Sequence, residues 1–441
     1  MKVYPTSRLR NVALVAHGGA GKTSLVEAML FNAGHTTRLG RVDDGTTVSD
    51  FHPEEIKRRM TINATLAPVE WKEYKLNLID TPGFADFVAE VRAAMRVVDC
   101  LLVVVCGVAG VEVQTEVYWE DAEKRNLPRI AFINKLDREN SSFQRILEQM
   151  RESFGHKVVP IQLPIGSENS FRGVVDLMHM KAFVWEAGGK LVETAIPDEL
   201  ANEAASAREM LVEAAAEGND ELLNKYLEGE ELSPEEVYAG LKAALIKGSV
   251  VPVLCGSATK NIGIIPLLDL IVESLPSPQE TLAAEGRNLE SEPMAALIYK
   301  TLADPYVGKL SFVRLFSGSM KGDSFVYNAN KEKEEKIGQI LVMRGKTQDT
   351  VTELKAGDIA AVAKLSETTT GDTLCRKEQP VILEGIEFPE PRFSVAVEPK
   401  SKGDEDKLGT AINRLMEEDP SLLWSKNPET RQNLLTGMGE T

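Results

Sequence analysis

The stretch "NVALVAHGGAGKTSLVEAML", Asn11 to Leu30, constrains the fold more than any other part of the chain. Its first half is apolar and rich in β-branched residues without alternation, the pattern of a strand buried on both faces. Ala16, His17, Gly18, Gly19, Ala20 and Gly21 then form a small-residue turn, and Lys22 and Thr23 open a segment whose Leu25, Ala28 and Met29 share one helical face. A strand, a glycine-rich turn and a helix start, in that order, gather backbone N–H groups around an anion. Lys22 can reach the β- and γ-phosphates of a nucleotide, and the Thr23 hydroxyl can bind Mg2+. Ala16 stands where the general pattern has Gly, but the strand, loop and helix context outweighs that loss. The competing reading is a glycine turn beside a core helix.

Three more loops follow apolar runs and extend this chemistry. After "KLNLI" come Asp80, Thr81, Pro82, Gly83 and Phe84. Asp80 can hold the Mg2+ shell, and the Gly83 N–H can approach a γ-phosphate. After "RIAFI" come Asn134, Lys135, Leu136 and Asp137. The Asp137 carboxylate offers two acceptors matching the N1–H and exocyclic amine of guanine, a donor pair that adenine lacks, and the stem of Lys135 can lie against the ring. After "VVPVL" comes "CGSAT", where Ser257 and Ala258 can turn backbone N–H groups toward the guanine O6. Each loop alone is a weak signal. Four in this order, each at the carboxyl end of an expected strand, indicate one GTP/GDP site with Mg2+.

Between the first two loops, "FHPEEIKRRMTINA" is polar and without periodicity. It is expected to be a mobile loop that brings Thr61 to Mg2+ in the triphosphate state and releases it afterwards. The expected metal ligands are therefore Thr23, Thr61 and Asp80, and the expected catalytic groups are Lys22, Thr61 and Gly83.

At 441 residues the chain is too long for one ordinary core. Up to about Ser274, buried-strand runs alternate with amphipathic segments such as "ADFVAEVRAAMRVV", as a parallel sheet covered by helices requires. The interval from Asp137 to Ser257, about 120 residues, is several times a normal crossover and contains two acidic helical stretches expected to be exposed. It implies an insertion at about 157–250. "LPSPQETLAAEGRNLESEP" has linker composition, and from Pro293 to Arg376 short strands separated by Gly and Asp turns predict a small antiparallel barrel. From "RFSVAVEPK" onward the order strand, helix, strand, strand is an incomplete ferredoxin-like layout, which suggests a truncated chain. The resulting fold is multidomain, α/β plus all-β. Its expected units are a P-loop GTPase domain with helical insertion (1–283), a β-barrel domain (284–384) and an incomplete ferredoxin-like α+β domain (385–441).

A net charge of −17 argues against coating nucleic acid by bulk charge, but not against docking on RNA through a local basic patch. The four cysteines lack metal-ligand spacing and suit buried free thiols in a reducing compartment. No signal-peptide pattern and no membrane-length apolar run is present, so the expected location is cytoplasmic, with no membrane partner. The five histidines suggest no catalytic set; His17 is expected to be structural.

Taken with "FRGVVDLMHMKAFVW", "PVLCGSA", "DPYVGKLSFVRLFSG", "AGDIAA", "TTTGDTLC" and "VAVEPKS", these motifs make nearly the whole chain resemble the translational GTPases, most closely elongation factor G. The resemblance implies GTP hydrolysis on the ribosome, through ribosomal RNA and stalk proteins, by a monomeric factor that drives translocation. Related rescue or antibiotic-protection factors share these front domains.

The departures are specific. The family usually has "AHIDAGKT", so Gly19 lacks the carboxylate expected to hold a monovalent cation. It usually has "RGIT" where Arg58 to Thr61 read "RRMT". It usually has "DTPGH", whose His orients the attacking water, and Phe84 cannot hydrogen-bond to water. Slow hydrolysis is the expectation, because Lys22, Mg2+, the Thr61 carbonyl and the Gly83 N–H still supply positioning and charge. Phe84 has two expected placements: packed into the space left by Gly18 against Met60, or exposed.

Overall fold

The computed structural model describes residues 2–186, 190–282, 286–304 and 308–441, without the side chains of 402, 405 and 406. The expected boundary between residues 283 and 284, and residues 305–307 of the "DPYVGK" motif, lie outside the described residues.

Seven strands form the first sheet, in the spatial order Thr65–Trp71, Tyr74–Asp80, Leu9–Val15, Cys100–Cys106, Arg129–Asn134, Val251–Cys255, Val158–Pro160. Five of them had clear apolar runs, and these five are parallel to one another. The edge strand Thr65–Trp71 is antiparallel, so the sheet is mixed. Helices such as Lys22–Asn32, Val88–Arg96 and Val113–Lys124 follow the central strands. Val12 to Val15 and Leu101 to Val105 are fully buried, as the absence of alternation required. Because the central strands run in parallel, Val15, Asp80, Cys106, Asn134 and Cys255 end at one edge, where their loops converge.

The insertion is only partly helical. A four-stranded antiparallel meander, Gln162–Ile165, Gly173–Asp176, Lys181–Trp185 and Leu191–Thr194, precedes three helices, Asp198–Ala216, Asp220–Leu227 and Pro234–Lys247. The first acidic stretch is not simply exposed, whereas the helix Asp220–Leu227 has no fully buried residue. Ala204, Ala207, Leu211 and Ala215 are buried, and small alanine side chains concealed that apolar stripe in the sequence.

The described residues of the expected linker are structured as well. Ser277 caps the short helix Pro278–Leu282, with its N–H and hydroxyl both donating to Glu280 at 2.8 Å. Thr281 donates to Asp99 at 2.8 Å. The Thr281–Asp99 contact ties this helix to the start of a central strand, so the Pro and polar content here marks a helix start rather than slack.

The barrel contains an eight-stranded sheet, from Ala295–Asp304 to Thr373–Cys375, around Ile298, Val313, Leu315, Ile340, Val362 and Leu374. It docks against the opening residues of the GTPase strands, which explains polar side chains inside an otherwise apolar sheet. Lys75 Nζ lies 2.7 and 2.9 Å from the Asp358 oxygens, and Arg314 donates to Asp99 at 2.7 Å; all four side chains are nearly inaccessible. Asn77 donates to Asp358 at 2.9 Å, and Asn11 donates to Asp99 at 2.7 Å. In the third unit, strand Asn433–Gly437 lies between Phe393–Ala396 and Leu423–Lys426, with antiparallel pairing on both sides, and helix Glu405–Glu418 connects the outer two. That is the split βαβ arrangement the sequence order suggested.

Candidate functional site

The phosphate loop is tensioned by its own lysine. Lys22 is 5% exposed, and its Nζ donates to the carbonyls of Ala16 (3.2 Å) and His17 (3.3 Å). Burial lowers its pKa to about 8, opposed by the carboxylates of Asp80 and Asp50. Gly19 and Gly21 have φ of +82° and +99°, conformations that favour glycine. Gly21 also has no room for a side chain, since a Cβ there would meet the Asn134 amide nitrogen at 2.5 Å. Among these residues His17 is structural in its contacts, with Nδ1 3.5 Å from the Thr115 hydroxyl.

The base-facing loops are joined to the phosphate loop. Asn134 donates to the Ala20 carbonyl and accepts from the Ala258 N–H, both at 3.0 Å. Lys135, in a left-handed conformation, donates to the Gly19 carbonyl at 2.6 Å. Leu136 N–H bonds the Gly256 carbonyl at 3.3 Å, and Ser257 is fully buried. Asp137 is 8% exposed, and its Oδ1 is buried without a hydrogen-bond partner. An orphaned carboxylate oxygen at this edge is an acceptor awaiting donors.

Thr23, Thr61 and Asp80 come together as expected. The two threonine hydroxyls are 2.9 Å apart, and Asp80 is fully buried with Oδ1 unpaired and Oδ2 accepting from Ser49 at 2.7 Å. Burial raises the Asp80 pKa, while Ser49, Lys22 and Thr23 favour its charged form. The sequence reading missed Asp50. It is 3% exposed, and neither carboxylate oxygen finds a hydrogen bond of good geometry, although Thr61 lies close enough to favour the charged form. Burial, then the Asp80 charge, pushes Asp50 up to about 8. Hydroxyls and unpaired carboxylates are hard oxygen donors suited to Mg2+. Among the described residues no group of three or more His, Cys, Asp or Glu could hold a metal alone, so phosphate oxygens would complete this shell.

The segment carrying Thr61 departs from the expected unstructured loop. Pro53–Arg58 is a helix with a capping box between His52 and Glu55. The buried Glu55 then accepts the N–H groups of Ile62 (3.1 Å) and Asn63 (2.9 Å), and the buried Glu27 accepts that of Val48 at 2.5 Å. Buried carboxylates, invisible as such in a polar stretch, order it. The third unit also reaches this region: Thr441 N–H donates to Asp86 at 2.9 Å, and Arg58 donates to the Thr441 carbonyl at 3.3 Å.

Gly83 lies against the phosphate loop, where a Cβ would be 2.8 Å from Gly18 N. Thr81 donates to the Leu14 carbonyl, and Pro82 is buried. Phe84 occupies the space over Gly18 and is also exposed. Its ring lies over Gly18, where a Cβ would be 3.0 Å from the ring edge, yet the residue remains 45% exposed. It borders a cavity of about 450 Å3 whose walls include His17, Gly19, Gly83 and Glu112.

Comparison with known proteins agrees with this geometry. Residues 7–277 match the elongation factor Tu GTP binding domain, 293–377 match elongation factor G domain 2, and 388–441 match elongation factor G domain III. The chain belongs to the translational GTPases and has the domain series of elongation factor G. A crystal structure of a protein from Thermus thermophilus is similar over 98% of this chain, with 36% identity and a TM-score of 0.91. This chain spans 64% of that protein's length. All four cysteines are buried and free. Among the described residues no helix is long and apolar enough to cross a membrane.

Proposed function

We propose that the chain is a cytoplasmic, monomeric elongation factor G-like GTPase that binds GTP/GDP with Mg2+ and hydrolyses GTP slowly until it meets the ribosome. The convergence of four loops at one sheet edge, with buried unpaired carboxylate oxygens on Asp80 and Asp50 near Thr23 and Thr61 and on Asp137 in the NKLD loop, carries this reading. Lys22, Thr23, Thr61 and the Gly83 N–H face the phosphates, while Asn134, Lys135, Asp137, Ser257 and Ala258 form the base pocket. Bound Mg2+ would neutralise phosphate charge, with Thr23, Thr61, Asp80 and Asp50 as its protein partners. Multiple-turnover GTP hydrolysis by the longest form of the protein, with and without ribosomes, tests the reading. Turnover should rise on adding ribosomes; a flat response counts against it.

Phe84 favours a second reading, a GTP-dependent ribosome-binding switch with vestigial hydrolysis, because its ring presents no polar atom to a water. Single-turnover assays of Phe84→His decide between the two. A water-orienting imidazole contributes about 3 to 4 kcal/mol, roughly 10²- to 10³-fold in rate. A gain of that order shows that position 84 limits a working site, and no gain shows that the position is not limiting.

A further inference from the structure

The stretch between Thr61 and the edge strand is held from outside the GTPase domain. Lys300, on barrel strand Ala295–Asp304, is 6% exposed, and its Nζ reaches the Ala64 carbonyl at 3.1 Å and Asn63 Oδ1 at 3.5 Å. It also forms an ion pair with Glu90 on helix Val88–Arg96. Glu90 in turn accepts the Ala64 N–H at 2.6 Å. One barrel cation and one carboxylate from the helix after Phe84 therefore grip both backbone groups of Ala64. The barrel strand shifts register between Ile298 and Lys300, an irregularity of the kind that re-aims a side chain.

At the other end of this short stretch, Glu55 holds the N–H groups of Ile62 and Asn63. Residues 62–64 are pinned between Glu55 and the Glu90–Lys300 pair, and Thr61 emerges from the pinned stretch against Thr23.

We propose that Lys300 is a positioning residue for Thr61: through Ala64 and Glu90 the barrel favours the closed placement of the Thr61 segment and so selects GTP over GDP. The inference rests on the reading of Thr61 as a Mg2+ and γ-phosphate contact. GDP has no γ-phosphate for the closed segment to meet, so a contact that stabilises closure strengthens GTP binding more than GDP binding. A plain structural tether between barrel and helix would affect both nucleotides alike.

The test compares Lys300→Met, Lys300→Arg and the parent chain by release of fluorescent GDP and of a fluorescent non-hydrolysable GTP analogue. Lys300→Met should release the GTP analogue about tenfold faster, equivalent to about 1.4 kcal/mol, with GDP release changed less than about twofold. Lys300→Arg should stay near the parent because it retains the cation. Equal acceleration for both nucleotides, or none, overturns the proposal. Hydrogen exchange without nucleotide gives an independent readout, since the amides of Ile62 to Ala64 should lose protection in Lys300→Met. If the parent binds neither nucleotide, the GTPase reading fails on its own, and unchanged protection at these amides overturns the Lys300 role separately.

Discussion

Replacing Asp137 by Asn removes the charge that defines base selection while keeping the side chain's size. The side chain is 8% exposed, its Oδ1 is unpaired and its Oδ2 has only the exposed Arg138 guanidinium at 4.0 Å, so little would take over for guanine at Oδ1. A hydrogen bond to a charged group contributes about 1.5 to 3 kcal/mol, and Asp137 can accept two from guanine. The amide would keep one acceptor and set its NH2 against a guanine donor. A net loss of about 3 to 4 kcal/mol follows, which is roughly 10²- to 10³-fold in Kd. Xanthosine triphosphate, with an oxygen in place of the exocyclic amine, should bind the variant better than GTP does. Equilibrium titration with fluorescent GTP, competed by each nucleotide, measures both effects. GTP affinity within about threefold of the parent would refute the assignment.

Other consequences follow from buried charge. Asp50→Asn should raise the Mg2+ concentration needed for half-maximal GTP binding by about tenfold, corresponding to about 1.4 kcal/mol, as a magnesium titration would show. Lys75→Met strands the Asp358 carboxylate and should destabilise the barrel contact by about 3 kcal/mol, with much of the loss recovered in Lys75→Met plus Asp358→Leu; urea unfolding monitors it. The hydrogen bond that His179 donates to the Asp176 carboxylate raises the His179 pKa, so its stabilisation is complete below the ordinary value near 6.5 and fades as pH rises through the raised value. Because His179 is half exposed, the effect should stay below about 1 kcal/mol, and His179→Gln should remove that pH dependence from thermal unfolding.

The strands and loops of the nucleotide site were legible because each loop follows an unbroken apolar run and contains glycines or small polar residues at fixed spacing. Parallel strand order then brings those loops to one edge without further information. Asp50 was not legible: it lies in a stretch with no periodicity, and its burial depends on the segment closing over Asp80. Nothing in the sequence marks Glu27, a polar residue on the helix after the phosphate loop, as the group that holds Val48 from inside the fold. The insertion's meander was obscured by short strands with mixed polarity, such as "LVET" at Leu191–Thr194. Lys75, Asn77, Asp99 and Arg314 acquire meaning only from the docking of two units far apart in sequence.

Phe84 was legible as a chemical departure but not as a placement. Its ring rests on Gly18 because that glycine leaves space, and the adjoining cavity keeps the residue partly open.

The central claim is that the site binds guanine nucleotide with Mg2+ despite Gly19 and Phe84. Isothermal titration of the chain with GTP, with ATP, and with GTP after chelation of Mg2+ tests it most directly. GTP should bind at least about a hundredfold more tightly than ATP, as two lost hydrogen bonds to Asp137 require, and chelation should weaken it. Equal affinity for GTP and ATP, or GTP binding indifferent to Mg2+, would contradict the account.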